Sequence, residues 1–384
     1  MLLAIEPLFS DHTHAHANAC LLEAIALGCG DEPVAVAANP NHYAHVLSVR
    51  PGLGSRLTYR PIEVEAPGGI TYARFQRHMR VLLQHVREFR PACVVCLAVA
   101  PETLFACAVL RLRHPHLPIV AVLHGTAAAA GWRSRDPRHR WFDHRSAIRV
   151  AVTAGIRFVV LESYIKHTAV RLKLVPDAHC DVWPHPILED ERVGQTPDLR
   201  SDCLWLGFLG FAKRQKGFDD FLAMADSAAS RGADWCRFRL VGALADRNYE
   251  HALANVTIVP NVVERANFVA AVRALDYACM FLPDETYRLT SSGSLLDAVA
   301  ALRPIIGLDT PAMHEMFQET RVGYLCRTLD ELNDLIANPQ ALFDVSRYRG
   351  FQEGLRAFGR GRSPMELAQS VAATIRKAVM NGAR

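Results

Sequence analysis

Short apolar runs rich in β-branched residues alternate along the chain with longer stretches whose apolar positions recur at helical spacing, the pattern of parallel strands covered by helices. In the first half the runs predict strands at Leu2–Ile5, Val34–Ala38, Cys93–Val99, Ile119–Leu123, Phe158–Leu161 and Asp181–Trp183. Helices are predicted between them at Ala17–Leu27, Tyr72–Phe89, Glu102–Arg113 and Tyr164–Lys173. From Pro186 to Asp202 the rhythm stops. That segment is polar, contains Pro and Gly, has no period and reads as a linker. The alternation restarts with strands at Leu204–Leu209, Phe238–Val241, Val256–Val259, Ala278–Leu282 and Pro304–Gly307, and with helices at Phe218–Ser230, Ala245–Ala252, Arg265–Ala274 and Ser292–Ala301. Leu367, Val371, Ile375 and Val379 then share one face of a final amphipathic helix. The expected class is α/β, with units at 1–186 and 203–360, a linker at 187–202 and a closing helical segment at 361–384.

Length agrees with two units, because 384 residues exceed what one core of roughly 250–300 residues encloses. Half of the residues are apolar and 21% charged, which excludes a disordered or low-complexity chain. The net charge of +4 is unevenly placed: the first 190 residues hold 20 Lys and Arg against 16 Asp and Glu, while the remainder balances at 23 each. Fifteen of the 17 histidines also lie in that first part. So small a charge argues against a dedicated nucleic-acid binder with its basic stripe. One local exception runs from Trp132 to Arg149, where Arg133, Arg135, Arg138, Arg140, Arg145 and Arg149 are interleaved with Trp141 and Phe142. It reads either as a solvated helix face and loop or as a peripheral contact with an anionic membrane.

The longest uncharged apolar run, Ala92 to Ala100, is far short of the roughly 20 residues that span a bilayer. The opening MLLAIEPLF lacks a basic flank and holds Glu6, so it is expected to be a buried strand and not a secretory signal. Ten scattered cysteines then point to reduced thiols and a cytoplasmic location. Cys93 and Cys96 have C-x-x-C spacing, but on a strand they face opposite ways and no second pair completes a zinc site.

Candidate chemistry concentrates in the second half. The strand LWLGFLG ends in Gly207 and Gly210, and Arg214 and Lys216 follow ahead of the helix at Phe218. Cations and backbone N–H groups brought together in this way suit a diphosphate. Further on, Thr290, Ser291, Ser292 and Gly293 stand at a helix start, with Asp297 one turn in on the face of Gly293. Hydroxyls and unpaired N–H groups there suit an anion, and the carboxylate suits ribose hydroxyls.

These segments resemble the GT-B glycosyltransferases, in particular glycosyltransferase family 4 and its relatives. The similarity is clearest from Leu204 to Leu325: LWLGFLGFAKRQKGFDDFL resembles the family's glycine strand with its Arg/Lys pair, and NVTIVPNVVERANFVAAVRALDYACMFLPDE resembles its nucleobase-side strand and helix, with Val262 in the turn. DAVAALRP resembles the helix E-A-x-A-x-G-x-P, with Asp297 for Glu and Leu302 for Gly. LHG at Leu123–Gly125 is a looser match in the first half. The resemblance implies two Rossmann-like domains facing across a cleft, with the C-terminal helix returning to the first. It also implies a nucleoside-diphosphate sugar held by the second domain, an acceptor held by the first, and no metal or other cofactor. The family's carboxylate eight residues before the helix acid is Leu289 here, and Asp284 or Glu285 is the candidate to contact the sugar in its place.

Breaking a sugar–phosphate bond leaves negative charge on the departing diphosphate. Arg214, Lys216 and the N–H groups near Ser292 are therefore the groups expected to stabilise it. An inverting reaction also needs a base; Asp11, at the end of the first strand, is the candidate. His14, His16 and Asn18 beside it are expected to line the acceptor side, and the resemblance places His124 near the donor. Metal binding by His12, His14 and His16 is disfavoured because no carboxylate or Cys falls in register. The expected activity is transfer of a hexose to a glycan or lipid-linked glycan, in assembly of a bacterial-type surface polysaccharide. Two alternatives share the architecture. A non-hydrolysing sugar-nucleotide 2-epimerase would carry an acid directly after Arg303-Pro304, and this chain has none. A catalytically silent binding subunit is the other, supported by Leu289.

Overall fold

The computed structural model describes residues 1–64, 72–125, 143–188, 197–260, 262, 264–317 and 320–382. Among these residues the chain divides into two units, one formed by Met1–Pro186, Leu289–Ser291 and Gly361–Arg384, the other by Ile187–Arg288 and Ser292–Arg360.

The first unit is a seven-stranded sheet in the order β3-β2-β1-β4-β5-β6-β7. Its strands are β1 Leu2–Glu6, β2 Val34–Ala38, β3 Leu57–Pro61, β4 Cys93–Cys96, β5 Ile119–Val122, β6 Arg157–Val160 and β7 Cys180–Val182. Each pairing is parallel, with Leu2 opposite both Val34 and Cys93. Strands covered on both faces are largely apolar, and β1, β2, β4, β5 and β6 are buried along their whole length, with Glu6 and Arg157 the charged residues among them. Edge strand β3 was not among the predicted strands because it is mostly exposed and polar and ends in Pro61. The helices are α1 Ala15–Gly28, α2 Pro40–Val49, α3 Tyr72–Phe89, α4 Pro101–Arg113, α5 His144–Thr153 and α6 Ser163–Arg171. Helix α2, also absent from the predicted set, is opened by Asn39, whose side chain accepts from the N–H groups of Asn41 and His42, with Pro40 at the first position.

The second unit is a six-stranded parallel sheet in the order β10-β9-β8-β11-β12-β13. It contains β8 Leu204–Leu209, β9 Cys236–Val241, β10 Val256–Ile258, β11 Tyr277–Met280, β12 Ile305–Leu308 and β13 Gly323–Cys326. Its helices are α7 Phe218–Ser230, α8 Arg265–Arg273, the short α9 Asp284–Tyr287, α10 Gly293–Ala300, α11 Pro311–Phe317, α12 Leu329–Ala337, α13 Pro339–Leu342 and α14 Val345–Gly359; α15, Pro364–Gly382, closes the chain in the first unit.

Two expected elements are corrected. Ala245–Ala252 is not an α-helix: only a 3-10 turn forms, at Arg247–Ala252, capped by the Asp246 side chain, which accepts from Asn248 N–H. The strand expected at Cys93–Val99 ends at Cys96, although Leu97 still donates to the Ile5 carbonyl. Cys96 lies 3.7 Å from Cys107, sulfur to sulfur, and all ten cysteines are free thiols. Most of the expected linker lies outside the described residues. Its described end is fastened to the second unit by Arg200, which donates to Asp276 (2.6 Å), and by Pro197, whose carbonyl accepts from Gln352.

Helix α15 packs on α1, with Leu367, Val371 and Ile375 joining the core of β1, β2 and α1. Ser363 and Glu366 form a reciprocal capping box at its start. Just ahead of it Arg362 makes a two-pronged, fully buried ion pair with Glu162 (2.7 and 2.8 Å). Loss of either partner would strand a charge in the interior, at a cost of about 3–5 kcal/mol.

Candidate functional site

In each sheet the strand order reverses once, between β1 and β4 and between β8 and β11, and the carboxyl ends of strands at such a point are where open α/β sheets bind ligands. Both clusters of chemically capable residues lie there.

In the second unit, β8 runs into Gly210, whose φ of 87° is natural only to glycine. A Cβ on Gly210 would sit 2.8 Å from Ser294 Oγ and 3.0 Å from Lys216 Nζ. The bare backbone thus lies directly on the pair in which Lys216 Nζ donates to Ser294 Oγ (3.2 Å). Burial, with Lys213 adding to it and Asp297 opposing it, holds the Lys216 ammonium down to about 8. The cavity here is small, about 10 Å³, and Ser292 and Tyr287 share its lining with Lys216 and Ser294. Ser292 caps α10 by accepting from Leu295 N–H, which leaves the first N–H groups of the helix outside the intrahelical ladder. Gly293 follows, with nothing within 4 Å of where a Cβ would be. A cation, a hydroxyl and a helix N-terminus therefore stand together, the groups that suit a phosphate, although the cavity beside them has room for about one water. A much larger groove, about 610 Å³, lies away from this point along β13.

The remaining donor-side candidates are distributed unequally. Arg214 stands on the 3-10 turn Arg214–Lys216, is 86% exposed and lies 3.6 Å from Asp219. Lys216 is thus the half-buried cation of the two and Arg214 the solvated one. Asp297 is engaged by Arg265, which donates to its Oδ1 at 2.7 Å. Any ribose contact must share that carboxylate. Asp284 and Glu285 occupy the first turn of α9, with Asp284 half-buried and Glu285 exposed, while Leu289 is buried. Ser291 falls in Leu289–Ser291, the segment grouped with the first unit, where the Tyr164 hydroxyl donates to the Thr290 carbonyl (2.7 Å). Val262 is half-buried in the turn before α8. Leu302, where the family resemblance has Gly, adopts φ 51°, so the backbone keeps a glycine-like conformation after the side chain has changed.

In the first unit a buried network begins at Glu6, the last residue of β1. Its Oε1 accepts from Leu8 N–H and its Oε2 from the Asn18 amide, both at 2.9 Å. The same amide lies 3.0 Å from His42 Nε2, and His42 Nδ1 lies 2.7 Å from the Asp11 carbonyl. A carbonyl only accepts, so Nδ1 carries the proton and Nε2 accepts from Asn18. Burial pushes the Glu6 carboxyl up to about 7. Asn18 Oδ1 is buried without a partner among the described residues. Asp11 is exposed, and hydrogen bonds from the Thr13 hydroxyl and N–H keep its carboxyl below the usual range.

Beside this network three imidazoles meet. His14, in a left-handed conformation ahead of α1, lies edge-on to His124 with ring centres 3.9 Å apart, and His185 meets His124 at 5.8 Å. Neither ring nitrogen of buried His124 has a partner among the described residues. Burial, reinforced by the neighbouring rings, holds His14 down to about 4 and His124 well below its usual value; burial does the same to His185, to about 4. The cluster is neutral at physiological pH and suits hydroxyl groups better than charge. His16 is half-buried on the first turn of α1. No group of three or more His, Cys, Asp or Glu among the described residues is placed to hold a metal ion.

Sequence reasoning passed over Ser294, Arg265, Glu6, His42 and His185. Ser294 had a local signal, since it continues the hydroxyl run at the helix start. Glu6 had one too, as a lone acid in an apolar strand. Arg265, His42 and His185 had none, because their partners lie far away in the chain.

Residues 202–343 match the sequence profile of the family described as glycosyl transferases group 1. No curated protein matches the chain by sequence. Among solved structures, a glycosyltransferase from Rickettsia africae is similar over 99% of this chain and 97% of its own, at 10% identity and a TM-score of 0.67. HepE of Anabaena, solved in complex with UDP-glucose, is similar over 98% and 99%, at 14% identity and 0.66. The UDP-GlcNAc 2-epimerase of Neisseria meningitidis, bound to UDP-GlcNAc, is similar over 93% and 98%, at 13% identity and 0.55. The likeness is one of fold: the chain has the GT-B fold, and its second unit carries the sequence pattern of group 1 glycosyl transferases.

Proposed function

We propose that the chain moves a hexose from a nucleoside-diphosphate sugar to a glycan or lipid-linked glycan acceptor, in assembly of a bacterial-type surface polysaccharide. The observation that carries this reading is the Lys216–Ser294 pair beneath Gly210 at the start of α10, inside the segment matched by the glycosyl transferase profile. As the sugar–phosphate bond breaks, charge grows on the diphosphate, and Lys216, Ser294 Oγ–H and the first N–H groups of α10 would stabilise it. With these groups supplying positive charge, the reaction is proposed to run without a metal. Arg214 would guide the donor from solvent, while Asp297, held by Arg265, and Val262 would face the nucleoside; Ser291, Asp284 and Glu285 complete the proposed donor contacts. On the acceptor side, the neutral His14 and His124 rings would receive hydroxyls, alongside His16 and Asn18. Asp11, ionised at neutral pH, would take the acceptor proton if the reaction inverts.

The epimerase reading is weaker, because Arg303 is consumed inside the core, where it donates to the Arg273 carbonyl and lies 3.4 Å from the Tyr348 hydroxyl. A panel of nucleotide sugars read by thermal shift identifies the donor, since a ligand that binds the folded state raises the melting temperature. Release of nucleoside diphosphate, followed with and without EDTA, then tests transfer. Binding without release would leave a silent subunit, an epimerised donor would leave the rival enzyme, and loss of release in EDTA would end the metal-free reading.

Contact with an anionic membrane is part of the same proposal. Most of the Trp132–Arg149 stretch lies outside the described residues; of its arginines Arg145 is described and half-buried, and Arg149 is described too. It is exposed on α5 beside Val150, and α3 and α4, packed in series with α5, add exposed Arg80, Arg87 and Arg113 with Tyr72 and Leu112. A basic residue near such a surface contributes about 1 kcal/mol, so Arg113→Ala with Arg149→Ala should weaken attachment to phosphatidylserine vesicles on the order of 30-fold. Cosedimentation that is absent in the parent, or indifferent to salt, would remove this part of the proposal.

A further inference from the structure

Strand β13 ends the second sheet, and a groove of about 610 Å³ runs along its free side. On the inner side Ile305 N–H donates to Val322 O and Asp309 N–H to Cys326 O, with Tyr324 opposite Ile306. A parallel ladder uses alternate residues, so 322, 324 and 326 bond to β12, while Gly323 and Leu325, both in the groove lining, direct their N–H and C=O groups outward. Across the groove α14 presents Arg347, Gly350 and Phe351, one stripe of the helix.

Gly350 is informative because it is unexplained by packing. A glycine inside a helix costs about 1 kcal/mol relative to alanine, and nothing lies within 4 Å of where its Cβ would be. It keeps the groove open. Phe351 and Tyr324, edge to face at 5.0 Å, give the groove an apolar floor. Among the described residues its lining holds Arg321 and Arg347, both exposed, against one acid, Asp309, which leaves one positive charge in excess; Arg347 lies over the Tyr324 ring and 3.9 Å from Asp344, and Asp309 3.3 Å from His314.

We propose that this edge and groove bind an extended acidic peptide segment of a partner protein as an added strand. The outward groups of Gly323 and Leu325 would pair with its main chain, and Arg321 and Arg347 would meet its carboxylates. Anisotropy of a fluorescein-labelled Glu-Val-Glu-Val-Glu-Val peptide with the full chain tests this. Binding should saturate, weaken at least tenfold for Arg321→Glu with Arg347→Glu, and fall similarly for Gly350→Leu, which fills the groove while improving helix propensity. A backbone N-methylated peptide of the same charge should not bind, and a Lys-Val peptide should bind at least tenfold more weakly. Equal binding of either control peptide, no effect of the arginine pair, or no saturation up to millimolar peptide would overturn the proposal. So would sedimentation showing β13 covered by a second copy of the chain.

Discussion

Lys216→Met should lower turnover of the nucleotide sugar about 10²–10³-fold, the usual loss when one preorganised donor to a developing anion is removed. Methionine keeps the aliphatic length, so the melting temperature should change little while kcat falls. Arg214→Ala should have a milder effect, expressed more in KM than in kcat, because that side chain is solvated and beside Asp219. The pH profile gives a second readout. With the Lys216 ammonium held down to about 8 by burial, the fraction of free enzyme carrying the charge falls as pH rises through 8. The parent's kcat/KM should fall with it. A bound diphosphate favours the charged form, so kcat should fall only at higher pH. Steady-state kinetics of both variants from pH 6.5 to 9.5 checks this; a Lys216→Met enzyme with parental kcat would remove the phosphate-site assignment.

Acidification should destabilise the first unit strongly. Besides His14 and His185, His78 on α3 is buried against the Thr103 hydroxyl, and burial with Arg74 and Arg77 nearby holds it down to about 4. Each of these imidazoles binds a proton near pH 6.5 in the unfolded chain but only near pH 4 in the folded one. Their stabilisation is complete above 6.5 and is lost as pH falls toward 4, on the order of 3 kcal/mol for each. His42 and His124 shift in the same direction. Glu6 works the other way: its contribution is complete below about 4.5 and is lost as pH rises through about 7, so it offsets about one histidine. The net loss between pH 7.5 and pH 5 should be on the order of 3 kcal/mol or more, with protons taken up on unfolding. Urea unfolding across that range measures it, and His78→Gln should flatten the pH slope. A stability constant from pH 7.5 to 5 would mean that the rings are not held neutral in the fold.

The two sheets were legible because their strands are local objects. A strand covered on both faces must be largely apolar, and β1, β2, β5 and β8 meet that condition, with Glu6 at the end of β1 the exception. Where burial is one-sided the pattern fails, and so β3 had no local mark. The start of α10 was legible for a similar reason: capping hydroxyls and a following glycine act on the backbone within four residues. Ala245–Ala252 shows the limit of periodicity, since a helical spacing there folds only into a capped 3-10 turn.

The sequence by itself determined the α/β alternation, the closing amphipathic helix and the hydroxyl-bearing helix start, because each follows from periodicity or capping between near neighbours. Tertiary structure alone decided which charges matter. It paired Lys216 with Ser294 across 78 residues, Arg265 with Asp297 across 32 and Glu162 with Arg362 across 200, and it brought His14, His124 and His185 together. Strand order chooses such partners. An ionisable side chain becomes a half-buried cation, a held carboxylate or a neutral ring only when the sheet has set what lies beside it, because desolvation and hydrogen bonding act through space and not along the chain.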